Sequence, residues 1–111
     1  MIDAYRLVQL PNPAMTRPSA ALLAHRSDIL RVVAENRASN ARVFGSVLHG
    51  DDGDESDLDI LVDALPGATL LDLGAIQVEL EDLLGVSVDV VTPQDLPPKF
   101  RREVLDEARA V

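Results

Sequence analysis

The chain has 111 residues, no cysteine, a formal net charge of −9, and 47% hydrophobic but only 3% aromatic residues. The length predicts one domain with a core of Leu, Val, Ile and Ala, and the missing cysteines exclude disulfides and thiolate metal sites. A nucleic-acid partner is unexpected, because such binding depends on Lys and Arg that neutralise phosphates. No apolar run approaches the ~20 residues of a membrane span and no secretory signal is visible, so we expect a cytoplasmic protein without membrane contact.

Residues 1–18 are expected to form an N-terminal extension, followed by a domain that spans residues 19–111. The extension is partly apolar but contains Pro11, Pro13 and Pro18, so no helix can run through it. It is either a tail or edge strand on the domain's own surface or a docking segment for a partner.

The stretch from Ser19 to about Asn36 predicts an amphipathic helix, with Ser19 as its N-cap. His25 lies off the apolar side and is interpreted as a surface histidine. The apolar side chains recur at three-to-four-residue spacing: Leu22, Leu23, Ile29, Leu30 and Val33.

A short strand from Ala41 to Phe44 is predicted to lead into a turn at Gly45-Ser46. A glycine at the end of a strand lets a ligand approach the backbone closely. If a helix begins there, its free N–H groups form an anion site. The acidic loop after it, Asp51 to Glu55, is interpreted as solvated charge, because flexible carboxylates make poor fixed ligands.

The predicted second strand, Asp57 to Asp63, opens with Asp57 and Asp59. Side chains alternate along a strand, so both carboxylates leave one face while Leu58, Ile60 and Val62 face the core. Two such carboxylates repel, which raises the pKa of one unless a cation lies between them. Mg²⁺ takes oxygen ligands of this kind. Taken alone, the pattern is equally compatible with an edge strand that has a solvent-facing acidic side.

A helix is predicted from Thr69, where Thr69 and Asp72 resemble a capping box, to Gly85, a typical terminating glycine. Its apolar stripe is core packing and consists of Leu73, Ile76, Leu80, Leu83 and Leu84.

The third predicted strand, Val86 to Val91, carries one aspartate, Asp89, on the face opposite to Val86, Val88 and Val90. An aspartate in a valine-rich strand is costly to bury unless it is paired or bound to a cation. If this strand neighbours the second one, Asp89 can join Asp57 and Asp59. The alternative is an exposed edge-strand aspartate.

Pro98 suits the first turn of the last predicted helix, which continues from Lys99 to Ala110 with Phe100, Val104 and Ala108 as its packing side. Its basic cluster of Lys99, Arg101 and Arg102 is interpreted as a solvated helix face, with contact to a triphosphate or an acidic partner as the alternative. Helix, strand, strand, helix, strand, helix predicts an α/β (α+β) fold with a small mixed sheet packed against helices.

Gly45-Ser46, then Gly50, then Ser56-Asp57-Leu58-Asp59 resembles the nucleotidyltransferase signature of the DNA polymerase β superfamily. That signature is Gly-Ser, a gap, then Asp-x-Asp and an apolar strand. The spacing looks closest to the minimal nucleotidyltransferases, and the resemblance covers the chain from about Ser19 to its end. Basic residues often follow Gly-Ser in that branch, whereas Val47, Leu48 and His49 stand there in this chain.

The resemblance implies nucleotidyl transfer with ATP as the substrate. Asp57, Asp59 and Asp89 would be the catalytic and metal-binding residues and would hold two Mg²⁺ ions, the clamp used for in-line displacement at phosphorus. Gly45 and Ser46 would bind the terminal phosphates. Minimal nucleotidyltransferases are commonly the antitoxins of HEPN-domain ribonuclease toxins. The resemblance therefore implies a type VII-like antitoxin that transfers AMP to a tyrosine of a HEPN toxin and forms a stable hetero-oligomer with it.

Two other functions stay open. One is a binding module that neutralises its toxin by occlusion, without catalysis. The other is a transferase for a small molecule such as an aminoglycoside, although a single domain offers little room for an acceptor pocket. The residues do not define the acceptor, the base preference, the number of AMP groups transferred or the oligomeric state.

Overall fold

The computed structural model describes residues 17–53 and 56–111. The predicted extension up to residue 16, and Asp54 and Glu55 of the acidic loop, lie outside the described residues. Within them the chain forms five α-helices, four strands and one 3-10 helix. Their bounds are α1 Pro18–Ala24, α2 Arg26–Glu35, β1 Ala38–Phe44, α3 Ser46–His49, β2 Leu58–Ala64, α4 Leu70–Leu84, β3 Val88–Val91, the 3-10 helix Pro93–Asp95, α5 Pro98–Glu107 and β4 Arg109–Ala110.

The strands form one mixed sheet in the order β3-β2-β1-β4. Strand β1 is antiparallel to both β2 and β4, whereas β2 and β3 are parallel. The predicted α/β class with a small mixed sheet is therefore confirmed, and β3 is the neighbour of β2 that the placement of Asp89 required.

One face of the sheet packs against α1, α2 and α4, and we call it the core face. Its strand residues alternate as predicted, with Leu58, Ile60 and Val62 fully buried in a cluster that includes Ile29 and Ile76. We call the other face the open face. It is covered in part, because Leu61 and Leu96 are buried outside the main cluster and the 3-10 helix contacts β2.

A bulge in β1 keeps two alanines on the core face. Ala38 and Ala41 are both buried, although an odd separation along a regular strand would place them on opposite faces. The register shifts between Ser39 and Arg42, and Asn40 takes a left-handed φ of 54°, a conformation that asparagine tolerates better than most residues. The Asn40 amide also donates to Asp63 Oδ2 at 2.9 Å.

The single helix predicted for Ser19 to Asn36 is wrong, since the backbone leaves helical geometry at His25 (φ −127°, ψ 27°). The predicted apolar side is also displaced, because Leu23 is 67% exposed and Leu30 is exposed, while Val32 is buried. Ser19 is not the N-cap either, because α1 begins at Pro18, which suits a first helical position.

The capping box of α4 and its terminating glycine are confirmed. The Thr69 N–H donates to Asp72 Oδ2 at 2.9 Å, and Thr69 Oγ1 accepts from the Leu71 N–H at 3.2 Å. Gly85 ends the helix with a left-handed φ of 72°. These contacts satisfy N–H groups of the first turn that have no partner inside the helix.

The last predicted helix is too long, because α5 ends at Glu107 and Arg109–Ala110 pair with β1 as β4. Its expected packing side is wrong at Phe100, which is 48% exposed, whereas Val104 and Ala108 are partly buried; no residue of α5 is fully buried. Across the described ranges, no helix combines the length and apolar character that crossing a bilayer requires.

Candidate active site

Gly45 connects β1 to α3 in a conformation that only glycine adopts readily. Its φ is 76° and its ψ is −150°, a region that other residues rarely enter. A Cβ added to Gly45 would overlap Asp59 Oδ2 and lie 3.2 Å from Asp59 Cγ. The backbone of the Gly-Ser turn therefore passes directly against the Asp59 carboxyl group.

Ser46 begins α3 and is partly exposed. Gly45 O accepts from the His49 N–H at 3.3 Å, and Ser46 O accepts from the Asp51 N–H at 2.9 Å, so the main chain forms a compact turn. In the parts of the chain that the structure describes, no side-chain cap is bonded at the start of α3. First-turn N–H groups of this kind are donors for an anion.

Three aspartates share the open face beside this turn. Asp59 of β2 is opposite Phe44 of β1 and aligned with Asp89 of β3, and aligned residues on neighbouring strands project from the same face. Asp57 precedes Asp59 by two residues, which places it on that face as well. Asp57 and Asp89 are exposed, while Asp59 is partly buried.

The pKa of Asp59 is raised from 3.8 to about 6. Burial is the largest cause, because it penalises the charged carboxylate, and the negative charges of Asp89 and Asp57 add to it. Among the described residues, no Lys, Arg or His forms an ion pair with any of these three carboxylates. The three carboxylates therefore hold negative charge that no ion pair with a described residue neutralises.

This donor set fits a hard divalent cation, because carboxylate oxygens are the ligands that Mg²⁺ accepts. The side chains do not form a closed set of three or more metal ligands within residues 17–53 and 56–111. Mutual repulsion of like charges favours that separation, and the backbone already places all three on one face.

The basic cluster of α5 is engaged locally. The Arg101 guanidinium donates to Leu96 O at 3.0 Å and to Gln94 O at 3.3 Å, and Lys99 Nζ lies 5.6 Å from the centre of the Phe100 ring. Lys99 and Arg102 are exposed, as a solvated helix face requires, whereas Arg101 is partly buried and its Nε is buried.

The interpretation of Asp52 as solvated charge is wrong. It is only 4% exposed and accepts a 3.0 Å hydrogen bond from the Ser19 N–H. Burial alone would raise the pKa of Asp52, but hydrogen bonds from Ser19 and from its own N–H, with the charge of Arg17, lower it below 3.8. No local pattern distinguishes Asp52 from exposed Asp51, because its partner lies far away in the sequence.

The chain matches a protein-family model and named relatives. Residues 26–111 match a family model described as "Nucleotidyltransferase domain". The chain is 36% identical over 80 residues to "Putative protein adenylyltransferase MJ0435" of Methanocaldococcus jannaschii, which covers 72% of this chain and 86% of that protein. It is 40% identical over 65 residues to "Protein adenylyltransferase MntA" of Thermococcus cleftensis, which covers 59% of this chain and 66% of that protein.

Two solved structures share the fold. One, described as a "putative minimal nucleotidyltransferase", has a TM-score of 0.75 and 43% identity, and the match covers 84% of this chain and 95% of that chain. The other, a "toxin-antitoxin with AMP-PNP", has a TM-score of 0.65 over 76% of this chain and 69% of that chain. Its identity is 21%, so this second match speaks to the fold alone.

Proposed function

Because the chain belongs to the nucleotidyltransferase domain family, as its Gly-Ser and Asp-x-Asp residues predicted, we propose that it transfers AMP from ATP to a protein. The acceptor would be a tyrosine of a HEPN ribonuclease toxin, and the chain would act as the antitoxin. One observation carries this proposal: the Gly45 backbone lies against Asp59 while Asp89 is aligned beside it. Relatives named protein adenylyltransferases support a protein acceptor and the transfer of AMP.

Asp57, Asp59 and Asp89 would hold Mg²⁺. Bound Mg²⁺ would neutralise charge on the phosphates and lower the pKa of the attacking hydroxyl. Asp59 must be ionised to act as a ligand, and its pKa of about 6 places that ionisation just below neutral pH. The proposed site is therefore expected to lose affinity for cations in mild acid.

The Gly45-Ser46 turn would bind the triphosphate. The missing side chain at Gly45 lets the turn lie directly against the Asp59 carboxyl group, and the start of α3 would offer N–H donors to the phosphates. The tyrosine oxygen would attack the α-phosphorus, the bond from that phosphorus to the pyrophosphate oxygen would break, and pyrophosphate would leave. Asp89, which is exposed on the open face, would accept the hydroxyl proton as general base.

The charge of the chain also suits a protein acceptor. A net charge of −9 would attract a basic RNA-binding protein and speed its encounter with the chain. The open face presents the exposed carboxylates to such a partner, whereas the core face is covered by α1, α2 and α4.

The test is co-expression of the chain with a HEPN ribonuclease from the same genome, followed by intact-mass analysis and incubation with α-labelled ATP and Mg²⁺. We expect the wild type to label the toxin on tyrosine and to neutralise it. The double variant Asp57→Asn/Asp59→Asn should lose labelling by at least about a hundredfold. Asp82→Asn is the matched control, since Asp82 is an exposed acid on α4.

Two outcomes would contradict the proposal. If the double variant neutralises the toxin as well as the wild type and the wild type transfers no label, the chain acts by occlusion. If label appears on a small molecule such as an aminoglycoside but never on protein, the acceptor class is wrong.

A further inference from the structure

Asp52 is an unusual residue in the loop between α3 and β2. It is only 4% exposed, whereas its neighbour Asp51 is exposed. A buried carboxylate persists only where hydrogen bonds compensate its lost hydration. Asp52 Oδ2 obtains such a bond from the Ser19 N–H at 3.0 Å.

The partner of Asp52 is the start of a helix. Ser19 is the second residue of α1, so its N–H has no acceptor inside the helix and lies at the positive end of the helix dipole. Arg17, which precedes α1, also lowers the pKa of this carboxyl through its positive charge. Asp52 thus caps α1 from 33 positions along the chain.

The loop that contains Asp52 is held at three places. At its start, the Asp51 N–H donates to Ser46 O at 2.9 Å. At its end, the Gly53 N–H donates to Ser56 Oγ at 2.9 Å, and the Ser56 N–H donates to Gly53 O at 3.2 Å. The contact at the start joins the loop to α3, the helix that directly precedes it, and the contacts at the end are internal to the loop. The bond from Asp52 to Ser19 lies between them and joins the loop to another element.

The loop also connects the two halves of the active site. Ser46 is at its beginning, and Asp57 directly follows Ser56 at its end. Asp59 lies inside β2, where its neighbours Phe44 and Asp89 align it. Asp57 directly precedes β2, which begins at Leu58. The peptide after Asp57 is fixed because the Leu58 N–H donates to Ser87 O at 2.8 Å, whereas the chain before Asp57 follows the path of the loop.

We propose that Asp52 is a positioning residue of the nucleotidyltransferase site: by capping α1, it holds the loop that places Asp57 relative to the Gly45-Ser46 turn. This inference rests on the proposed function for its catalytic consequence. It makes α1 a support of the site, although α1 packs on the core face. Mutation of a residue that orients metal ligands without binding the metal typically lowers metal affinity or activity by about ten- to a hundredfold.

The test compares Asp52→Ala with Asp51→Ala in the full chain, at a temperature well below the melting temperature of each variant. The loop is followed by hydrogen exchange at the amides of residues 56–58, and cation affinity by titration with Mn²⁺. We expect Asp52→Ala to speed exchange at these amides, to weaken Mn²⁺ binding about tenfold, and to lower kcat more than it raises KM for ATP. Asp51→Ala should leave all three measurements unchanged.

Asp52→Asn is the conservative variant, because its amide oxygen can still accept from the Ser19 N–H. It should restore most of the exchange protection and the Mn²⁺ affinity. If Asp52→Ala lowers only the melting temperature, with exchange at residues 56–58, Mn²⁺ affinity and kcat unchanged, Asp52 is a helix cap alone and the inference is overturned. If the wild type neither binds Mn²⁺ nor transfers AMP, the proposed function fails, and the exchange rates still decide whether Asp52 positions the loop.

Discussion

Replacing Gly45 by alanine is expected to destabilise the fold and disable the site through one added methyl group. Two costs combine. Alanine at the observed φ of 76° and ψ of −150°, a region essentially restricted to glycine, costs about 1–3 kcal/mol. The new Cβ would also overlap Asp59 Oδ2, and relief of such overpacking costs about 1–3 kcal/mol. We therefore expect a loss of about 2–6 kcal/mol in the free energy of unfolding.

Gly85→Ala is a reference for a positive φ without a steric contact. Gly85 has a φ of 72° and a ψ of 21°, and no atom lies within 4 Å of a Cβ built on it. This variant should lose only a conformational cost of about 1–2 kcal/mol and should keep its activity because Gly85 ends α4. In urea unfolding, Gly45→Ala should lose more, both through the contact with Asp59 and through its ψ of −150°.

A double-mutant cycle tests that contact directly. In a chain that already carries Asp59→Ala, the carboxyl oxygen that the new Cβ would overlap is missing. Gly45→Ala should then lose only its conformational cost of about 1–3 kcal/mol, with a coupling free energy of about 1–3 kcal/mol. Equal losses for Gly45→Ala and Gly85→Ala in the wild-type background, or a coupling near zero, would refute the view that the Gly-Ser turn rests on Asp59.

Three further predictions concern pH, an ion pair and the core. Asp59 has a pKa of about 6 in the folded chain against an ordinary 3.8, so the folded chain binds more protons than the unfolded chain between these pH values, and its stability should fall as pH rises through this window. Asp59→Asn should remove this pH dependence of the free energy of unfolding, measured with urea from pH 4 to 8. An unchanged pH dependence would contradict the raised pKa of Asp59. Asp63→Ala should cost about 1–3 kcal/mol, because it removes the 2.6 Å partner of Arg42, whose side chain is only 15% exposed; a thermal melt that matches the wild type would show the pair to be unimportant. Ile76→Ala should cost about 2–5 kcal/mol, since Ile76 is fully buried, whereas Phe100→Ser should stay within about 0.5 kcal/mol; comparable losses would mean that α5 packs more tightly than its exposure indicates.

Strand β2 could be predicted from the sequence because its information is local. Polar and apolar residues alternate from Asp57 to Ile60, and a period of two assigns each side chain to a face without knowledge of the fold. The cap and end of α4 are local in the same sense, since Thr69, Asp72 and Gly85 act within one turn of the helix.

The features that could not be predicted depend on contacts between distant residues. Alternation places Asp89 on one face of its own strand, but only the strand order brings it beside Asp59. The contact of Gly45 with Asp59 follows from the pairing of Phe44 with Asp59. The burial of Asp52 likewise depends on Ser19, 33 positions away.

Two errors have a different origin. The break at His25 has no glycine or proline to mark it, and the apolar pattern on either side continues at nearly helical spacing, so periodicity alone joins α1 and α2. Strand β4 has only two residues, which is too few to show alternation. The sequence therefore predicted a continuation of α5 through these residues.

The buried hydrophobic cluster and the three aspartates of the candidate site lie on opposite faces of the sheet. The buried cluster lies on the face toward α1, α2 and α4, whereas Asp57, Asp59 and Asp89 project from the opposite face. Neutral replacements at these three positions leave the buried cluster intact, so a chemically inert chain of native shape should be obtainable. Such a chain could serve as a bait that retains a captured protein without altering it, which would distinguish physical blockade from covalent modification.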